Sequence, residues 1–88
     1  MNRDFVEGVA NQKIISMFLK ECTIEYKSSH VRFMALYSRF KLWFQDGFPS
    51  EKIPNRFVFK CGIEKFFAIH MPNVGIVEDT YDGICLID

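Results

Sequence analysis

Apolar residues near the start of the chain recur at intervals of three and four, which is the period of a helix and not of a strand. The repeating positions are Val6, Val9, Ala10, Ile14, Met17, Phe18 and Cys22. Asp4 and Glu7 have the spacing of a capping box, so the first helix is predicted to begin at Phe5. Gly8 weakens the first turns, and a start at Asn11 is the alternative.

The clearest helical stripe of the chain comes after a polar connection at residues 25–29. The stripe consists of Phe33, Leu36, Tyr37, Phe40, Trp43 and Phe44. Gly47 stands where a helix turns left-handed to stop, so the second helix is predicted to end there. Residues 30–32, just before this helix, are compatible with one short strand.

A third helix is predicted over about residues 55–67, with Pro54 suited to its first turn because proline lacks the amide hydrogen that would be unpaired there. Phe59, Ile63 and Phe66 mark its buried face. Arg56, Lys60 and Glu64 recur every four residues on a different face. Gly62 in the interior costs about 1 kcal/mol relative to alanine, so either the helix is imperfect or another element packs closely against it.

The last segment is β-like and reads as a hairpin. Its predicted strands are residues 74–78 and 84–87, joined by a turn at residues 79–83 that contains an Asp-Gly pair. Three helices followed by a hairpin predict an α+β fold, a winged helix whose second and third helices form a helix-turn-helix. One such domain accounts for residues 1–88.

Composition indicates a globular protein of the cell interior. Hydrophobic residues make up 49% of the chain and aromatic residues 16%, enough for a core. Cys22, Cys61 and Cys85 are widely spaced and odd in number, which argues against disulfides and suits the cytoplasm or nucleus. Neither histidine has zinc-ligand spacing to a cysteine, so no metal or other cofactor is expected. We see no apolar run that predicts a membrane span and no signal peptide.

The second helix carries a family resemblance. The run Leu36-Tyr37-Ser38-Arg39-Phe40-Lys41-Leu42-Trp43 resembles the carboxy-terminal domain of poxvirus-type primase-helicases, which occur in large DNA viruses, phages and mobile elements. The likeness extends to Phe18-Leu19-Lys20-Glu21-Cys22 and to Ile53-Pro54 and Phe59. The resemblance implies a winged-helix appendage of a hexameric helicase motor. Because this sequence has no phosphate-binding loop, the motor would lie in another part of a longer chain or in a partner chain.

Charge is unevenly distributed although the whole chain is neutral. Residues 27–65 carry a net charge of +5, whereas the acids Glu78, Asp79, Asp82 and Asp88 follow Lys65 without any lysine or arginine. A third helix in a DNA groove would contact bases through Asn55, Arg56 and Lys60 and a phosphate through Lys52. Arg39 and Lys41 belong to the same basic segment. The partner would be duplex, forked or single-stranded DNA, and the alternative is a merely solvated helix face.

Protein docking is the competing function. The acidic hairpin, with Glu78, Asp79, Asp82 and a Tyr81 predicted at its tip, could meet a basic partner, or an edge strand could extend another sheet. Tyr81 and Phe48 are the aromatic residues predicted to be exposed, since the others have core spacing. A purely structural domain is a third possibility. Catalysis is not expected because no recognisable motif combines a nucleophile, a histidine and an acid.

Overall fold

The computed structural model describes residues 3–87, with side chains described from residue 11 to residue 87. It contains three helices and three strands. In chain order these are α1 (Arg3–Cys22), β1 (Thr23–Arg32), α2 (Phe33–Gly47), α3 (Arg56–His70), β2 (Gly75–Val77) and β3 (Thr80–Leu86). The predicted α+β class is confirmed. Within the described residues, no helix is both long enough and apolar enough to cross a membrane.

The sheet has three antiparallel strands in the order β1-β3-β2, not the two strands of a hairpin alone. The additional strand, β1, lies between α1 and α2 and is ten residues long, so the short strand expected at residues 30–32 is only its end. The centre of β1 is polar and exposed, which hides the period of two that identifies a strand from sequence. β1 therefore departs from a simple order of three helices followed by a hairpin.

The pairing of β1 with β3 is interrupted by a bulge. Residues 23–25 pair with residues 84–86, and residues 30–32 pair with residues 80–82. Residues 26–29 consequently lie opposite Gly83 alone. Gly83 has a φ of 99°, a backbone conformation that residues other than glycine rarely adopt. Tyr81 and Ile84 are both buried although they are three residues apart, because the alternation of β3 is broken at this glycine.

The hairpin turn is not where the Asp-Gly pair predicted it. β2 and β3 are joined by Glu78 and Asp79, with Glu78 at a φ of 55°, whereas Asp82 and Gly83 lie inside β3. The prediction was wrong because the positive φ of Gly83 serves the strand irregularity and not a turn. The backbone amide of Phe33 donates a hydrogen bond to the Asp79 carbonyl (2.6 Å), so the turn is attached to the start of α2.

Helix boundaries match the predictions within a few residues, and the caps differ. α1 begins at Arg3 and not at Phe5, and the proposed capping side chains, Asp4 and Glu7, lie outside the described side chains. Gly47 is the last residue of α2 and is not left-handed; Phe48 caps that helix through its amide and the Phe44 carbonyl.

The start of α3 also differs from the prediction. Pro54 precedes the helix instead of occupying its first turn. Asn55 is the N-cap, and its Oδ1 accepts a hydrogen bond from the Val58 amide (2.9 Å). The helix continues to His70, three residues beyond the predicted end.

The core is built around a cluster of aromatic rings contributed by all three helices. Phe59 of α3 lies 4.5 Å from Phe40, 5.3 Å from Tyr37 and 5.9 Å from Phe33 of α2, measured between ring centroids. It also lies 6.1 Å from Phe18 of α1. These separations are those at which aromatic rings attract one another beyond their burial of apolar area. The predicted stripes of α2 and α3 therefore face each other across this cluster.

Gly62 marks a close approach of α1 to α3. A Cβ atom built at Gly62 would lie 2.6 Å from Cδ1 and 3.3 Å from Cγ2 of Ile15, which is fully buried. The Gln12 side chain also donates a hydrogen bond to the Gly62 carbonyl (3.1 Å). Of the two explanations that the sequence left open for this glycine, close packing is confirmed.

We expect Gly62→Ala to destabilise the protein by about 1 kcal/mol, because overpacking of a buried contact outweighs the gain in helix propensity. Ile15→Val removes the atom nearest to the new methyl group, so the double variant should be more stable than the sum of the two single changes predicts. Urea unfolding followed by Trp43 fluorescence measures all three variants. A Gly62→Ala protein more stable than the wild type would contradict the close approach.

Candidate nucleic-acid interface

The connection from α2 to α3 is held to the core by Tyr37. The Tyr37 hydroxyl donates a hydrogen bond to the carbonyl of buried Pro54 (2.8 Å), and the Lys41 ammonium lies 5.2 Å from the centroid of the Tyr37 ring. Lys41 of α2 thus contacts the ring that binds Pro54, and Lys52 and Arg56 are exposed two residues before and two residues after this proline. We call Lys41, Lys52 and Arg56 the basic corner.

The basic corner is free of acidic partners within the part of the chain whose side chains are described. Among residues 11–87, none of its three side chains lies within ion-pair distance of a carboxylate. The corner adjoins the N-terminus of a 15-residue helix, where unpaired amides and the helix dipole add positive potential. It is thus suited to an anion such as a phosphate.

Asn55 contributes less to this surface than the sequence suggested. Its Oδ1 accepts the hydrogen bond from the Val58 amide that caps α3, which leaves the Nδ2 amide group for a ligand. An asparagine that reads adenine uses both atoms together. To recognise a base in this way, Asn55 would therefore have to break its hydrogen bond with the Val58 amide.

Lys60, predicted to face DNA, instead faces the hairpin. Its ammonium lies 3.4 Å from Oδ1 of Asp79 and 5.9 Å from the centroid of the Phe33 ring. Both partners of the ion pair are exposed to solvent, so the pair stabilises the fold only slightly. Glu64, one turn further on, accepts a hydrogen bond from the Tyr81 hydroxyl (3.1 Å). The flank of α3 that carries Lys60 and Glu64 is occupied by the protein's own β-strands.

The outward face of α3 is formed by residues that the sequence did not single out. Phe57, Cys61, Lys65 and Ala68 are exposed at helical spacing, and Phe57 has 75% of its surface accessible. Three of these four side chains offer no strong hydrogen-bonding group to a base edge. This face is poorly equipped to read a DNA sequence.

Arg39 lies apart from the basic corner, on the side of α2 that faces α1. It is half-buried and close to Cys22: burial raises the pKa of the Cys22 thiol, and the positive charge of Arg39 opposes that shift. On the same side of α2, the Trp43 indole donates a hydrogen bond to the Glu21 carboxylate (2.6 Å). Arg39 and Lys41 are thus on different sides of α2, although they are only two positions apart in the sequence.

The acidic hairpin keeps three of its four proposed contact residues at the surface. Glu78, Asp79 and Asp82 are exposed, whereas Tyr81 is fully buried among the core residues and not at the hairpin tip. The prediction for Tyr81 was wrong because the turn lies at Glu78 and Asp79, which places Tyr81 inside β3. Burial, together with the negative charge of Glu64, raises the pKa of Tyr81 well above its ordinary value.

The exposed aromatic residues of the described chain are Phe57 and Tyr26, not Tyr81 and Phe48. Phe48 is half-buried, with its ring centroid 5.1 Å from that of Phe44 and 6.0 Å from that of Trp43. The sequence did contain a signal for Phe57, since it falls outside the stripe formed by Phe59, Ile63 and Phe66. Tyr26 has 57% of its surface accessible and lies in the polar bulge of β1.

We expect Tyr81→Phe to reduce stability at neutral pH by about 1 kcal/mol, through loss of the hydrogen bond to Glu64. Tyr81 is neutral in the folded protein, and its folded pKa lies above the unfolded value of about 10. The contribution of Tyr81 to the free energy of unfolding is therefore fully present at pH values below the unfolded pKa. It falls as the pH rises above that pKa, because Tyr81 then ionises in the unfolded chain but not in the folded protein. Phenylalanine does not ionise, so the difference in free energy of unfolding between the wild type and Tyr81→Phe should become smaller at alkaline pH.

Urea unfolding of both proteins between about pH 8 and about pH 11 measures this difference. An advantage of the wild type that stays constant over the range would contradict the assignment of a neutral, buried Tyr81.

The chain matches no protein-family model, no curated protein and no solved structure. The likeness to primase-helicases therefore depends on the residues quoted for it. Leu36, Tyr37, Phe40, Phe18 and Phe59 are all buried in the core. Because core residues determine packing and not chemistry, the likeness bears on the fold more directly than on the function.

Proposed function

We propose that this protein is a non-catalytic nucleic-acid-binding module with a winged-helix arrangement, in which the basic corner contacts the phosphate backbone. The observation that carries the proposal is that Lys52 and Arg56 flank Pro54 at the N-terminus of α3, that Lys41 contacts the Tyr37 ring bonded to Pro54, and that none of the three has an acidic partner among residues 11–87. Accessible cations next to a helix N-terminus are a common arrangement for binding phosphate, and two of these three, Lys52 and Arg56, are exposed.

Electrostatics determines how strong such binding can be. Three cations that neutralise about three phosphates give a salt dependence with a slope of about −2.7 in log K against log salt on duplex DNA, at about 0.9 per phosphate. The chain as a whole has no net charge, and Glu78, Asp79 and Asp82 repel phosphates on the hairpin side. We therefore expect weak, salt-sensitive binding of duplex phosphates at the corner.

Contacts of this kind position the protein without reading sequence. Phe57, Cys61 and Ala68 on the outward face of α3 offer little to base edges, and the side-chain oxygen of Asn55 is engaged in the cap. Lys60 would have to leave Asp79 in order to reach a phosphate. The proposal is accordingly one of sequence-independent binding to duplex, forked or single-stranded DNA.

The resemblance to primase-helicases suggests the setting of this activity. An accessory domain of such an enzyme would hold DNA beside a helicase motor located elsewhere in the same protein or in a partner chain. Such a module would act on DNA in the cytoplasm or nucleus. The role proposed for this domain itself is binding, and none of its residues is assigned to a reaction.

Protein docking through the hairpin is the second candidate. Val77 and Ile76 are exposed on β2, a strand at the edge of the sheet, beside the acids Glu78 and Asp79. An open edge strand can pair with a strand of another protein, and the acids would favour a basic partner. Tyr81 has no part in this candidate because it is buried.

We expect Lys52→Glu combined with Arg56→Glu to reduce binding to fluorescein-labelled duplex, forked and single-stranded DNA by at least about tenfold at low salt, because two attractive charges become repulsive. The matched control is Lys13→Glu with Lys20→Glu, which makes the same change of charge on exposed positions of α1. Fluorescence anisotropy at low and physiological salt measures all three proteins.

A wild-type protein that binds none of these DNAs at low salt would contradict the proposal, as would equal losses in the corner variant and the α1 control. If DNA binding is absent and Glu78→Lys with Asp82→Lys abolishes association with a basic protein partner, docking becomes the preferred function. Circular dichroism of each variant verifies that the fold is retained.

A further inference from the structure

A second surface with suitable chemistry lies at the bulge of β1, at the other end of α3 from the basic corner. A cleft of about 290 Å³ is lined there by Glu25, Tyr26, Lys27, Asn73, Val74 and Gly83. We call this the bulge cleft. It exists because residues 26–29 bulge away from β3 where only Gly83 lies opposite them. The volume is close to the lower end of the range for small-ligand sites.

Gly83 lies at the bottom of the bulge cleft, where a side chain would fill part of the space. A Cβ atom at this position would meet the carbonyl oxygen of Asn73 at 3.9 Å and the Cα atom of Val74 at 4.0 Å. The positive φ of Gly83 disfavours any side chain there. The residue that breaks the strand pairing thus also leaves space between the bulge and the loop that follows α3.

The side chains around the cleft combine an aromatic ring, a cation and an amide. Tyr26 is more than half exposed although it is aromatic, and Lys27 beside it is exposed. Asn73 and Glu25 also line the cleft, and their amide and carboxylate groups can donate and accept hydrogen bonds. An exposed ring next to a lysine is the combination with which proteins stack an unpaired base and neutralise its phosphate.

We propose that the bulge cleft holds one unpaired base of single-stranded nucleic acid, stacked on Tyr26 with the adjoining phosphate near Lys27. The inference rests on the proposed function and specifies its substrate class. A base inside a duplex is stacked between its neighbours and has no face to offer Tyr26. The cleft therefore distinguishes a single strand from a duplex, which the basic corner does not.

The two surfaces lie toward opposite ends of α3. The basic corner adjoins the N-terminus of α3, whereas Asn73 and Val74 follow its C-terminus. The 15 residues of α3 span about 22 Å. Lys65 is exposed on α3 between the two surfaces. A forked DNA can place its duplex phosphates at the corner and its unpaired strand at the cleft.

The test compares oligothymidylate with an oligonucleotide of the same length that has the same backbone but abasic sugars. We expect the wild type to bind oligothymidylate roughly tenfold more tightly than the abasic strand, because stacking on Tyr26 requires a base. Tyr26→Ala should remove this difference while leaving affinity for duplex DNA unchanged. Tyr26→Phe keeps the ring and should retain the preference.

Leu42→Ala is the matched control, since Leu42 is an exposed hydrophobic residue of α2 and belongs to neither surface. Thermal unfolding of Tyr26→Ala should match the wild type because the ring contributes little to the core. Equal binding of thymidylate and abasic strands by the wild type would overturn the inference. A Tyr26→Ala protein that still binds thymidylate more tightly than the abasic strand would also overturn it. So would a Tyr26→Ala protein whose affinity for duplex DNA falls as much as its affinity for thymidylate.

Failure of this inference is distinct from failure of the proposed function. Duplex binding that depends on Lys52 and Arg56 measures the proposed function, whereas the difference between thymidylate and abasic strands measures the bulge cleft. If the first is present and the second absent, the protein binds phosphate backbones through the basic corner alone.

Discussion

The packing of Phe59 against rings from α1 and α2 is the constraint on which the rest of the structure depends. Its centroid lies within 6.1 Å of four other aromatic centroids, so a rotation of α3 about its axis would break several contacts at once. With Phe59 fixed inward, the geometry of a helix leaves Lys60 and Glu64 on the flank facing the hairpin and Phe57 on the outer face. The arrangement of charges follows from the position of one ring.

The sequence predicted the helices well because their apolar stripes are long and regular. Phe33, Leu36, Tyr37, Phe40 and Phe44 are buried as the spacing indicated, and so are Phe59, Ile63 and Phe66. β1 was largely missed because its middle residues bulge and carry polar side chains. The hairpin turn was misplaced because an Asp-Gly pair is typical of two-residue turns, and here Gly83 lies opposite a bulge.

The candidate site was predictable in composition but not in arrangement. The sequence grouped Arg39, Lys41, Lys52, Arg56 and Lys60 because they share one basic segment. In three dimensions Arg39 lies toward α1 and Lys60 toward Asp79, whereas Lys41 contacts Tyr37, and Lys52 and Arg56 flank the Pro54 that Tyr37 binds. The link between Lys41 and the segment that carries the other two is the hydrogen bond from Tyr37 to the Pro54 carbonyl, a contact between residues 17 positions apart that no local pattern encodes.

The hydrogen bond between the Phe33 amide and the Asp79 carbonyl has a consequence for how the chain acquires its structure. Arg32 at the N-cap of α2 makes no side-chain cap, and the first turn of α2 contains no acidic residue. A hairpin that comes more than forty residues later thus supplies a partner for the first amide of this helix. During synthesis on the ribosome, water is the partner of this amide until the hairpin has emerged, so docking of the hairpin adds a hydrogen bond to the start of a helix made more than forty residues earlier.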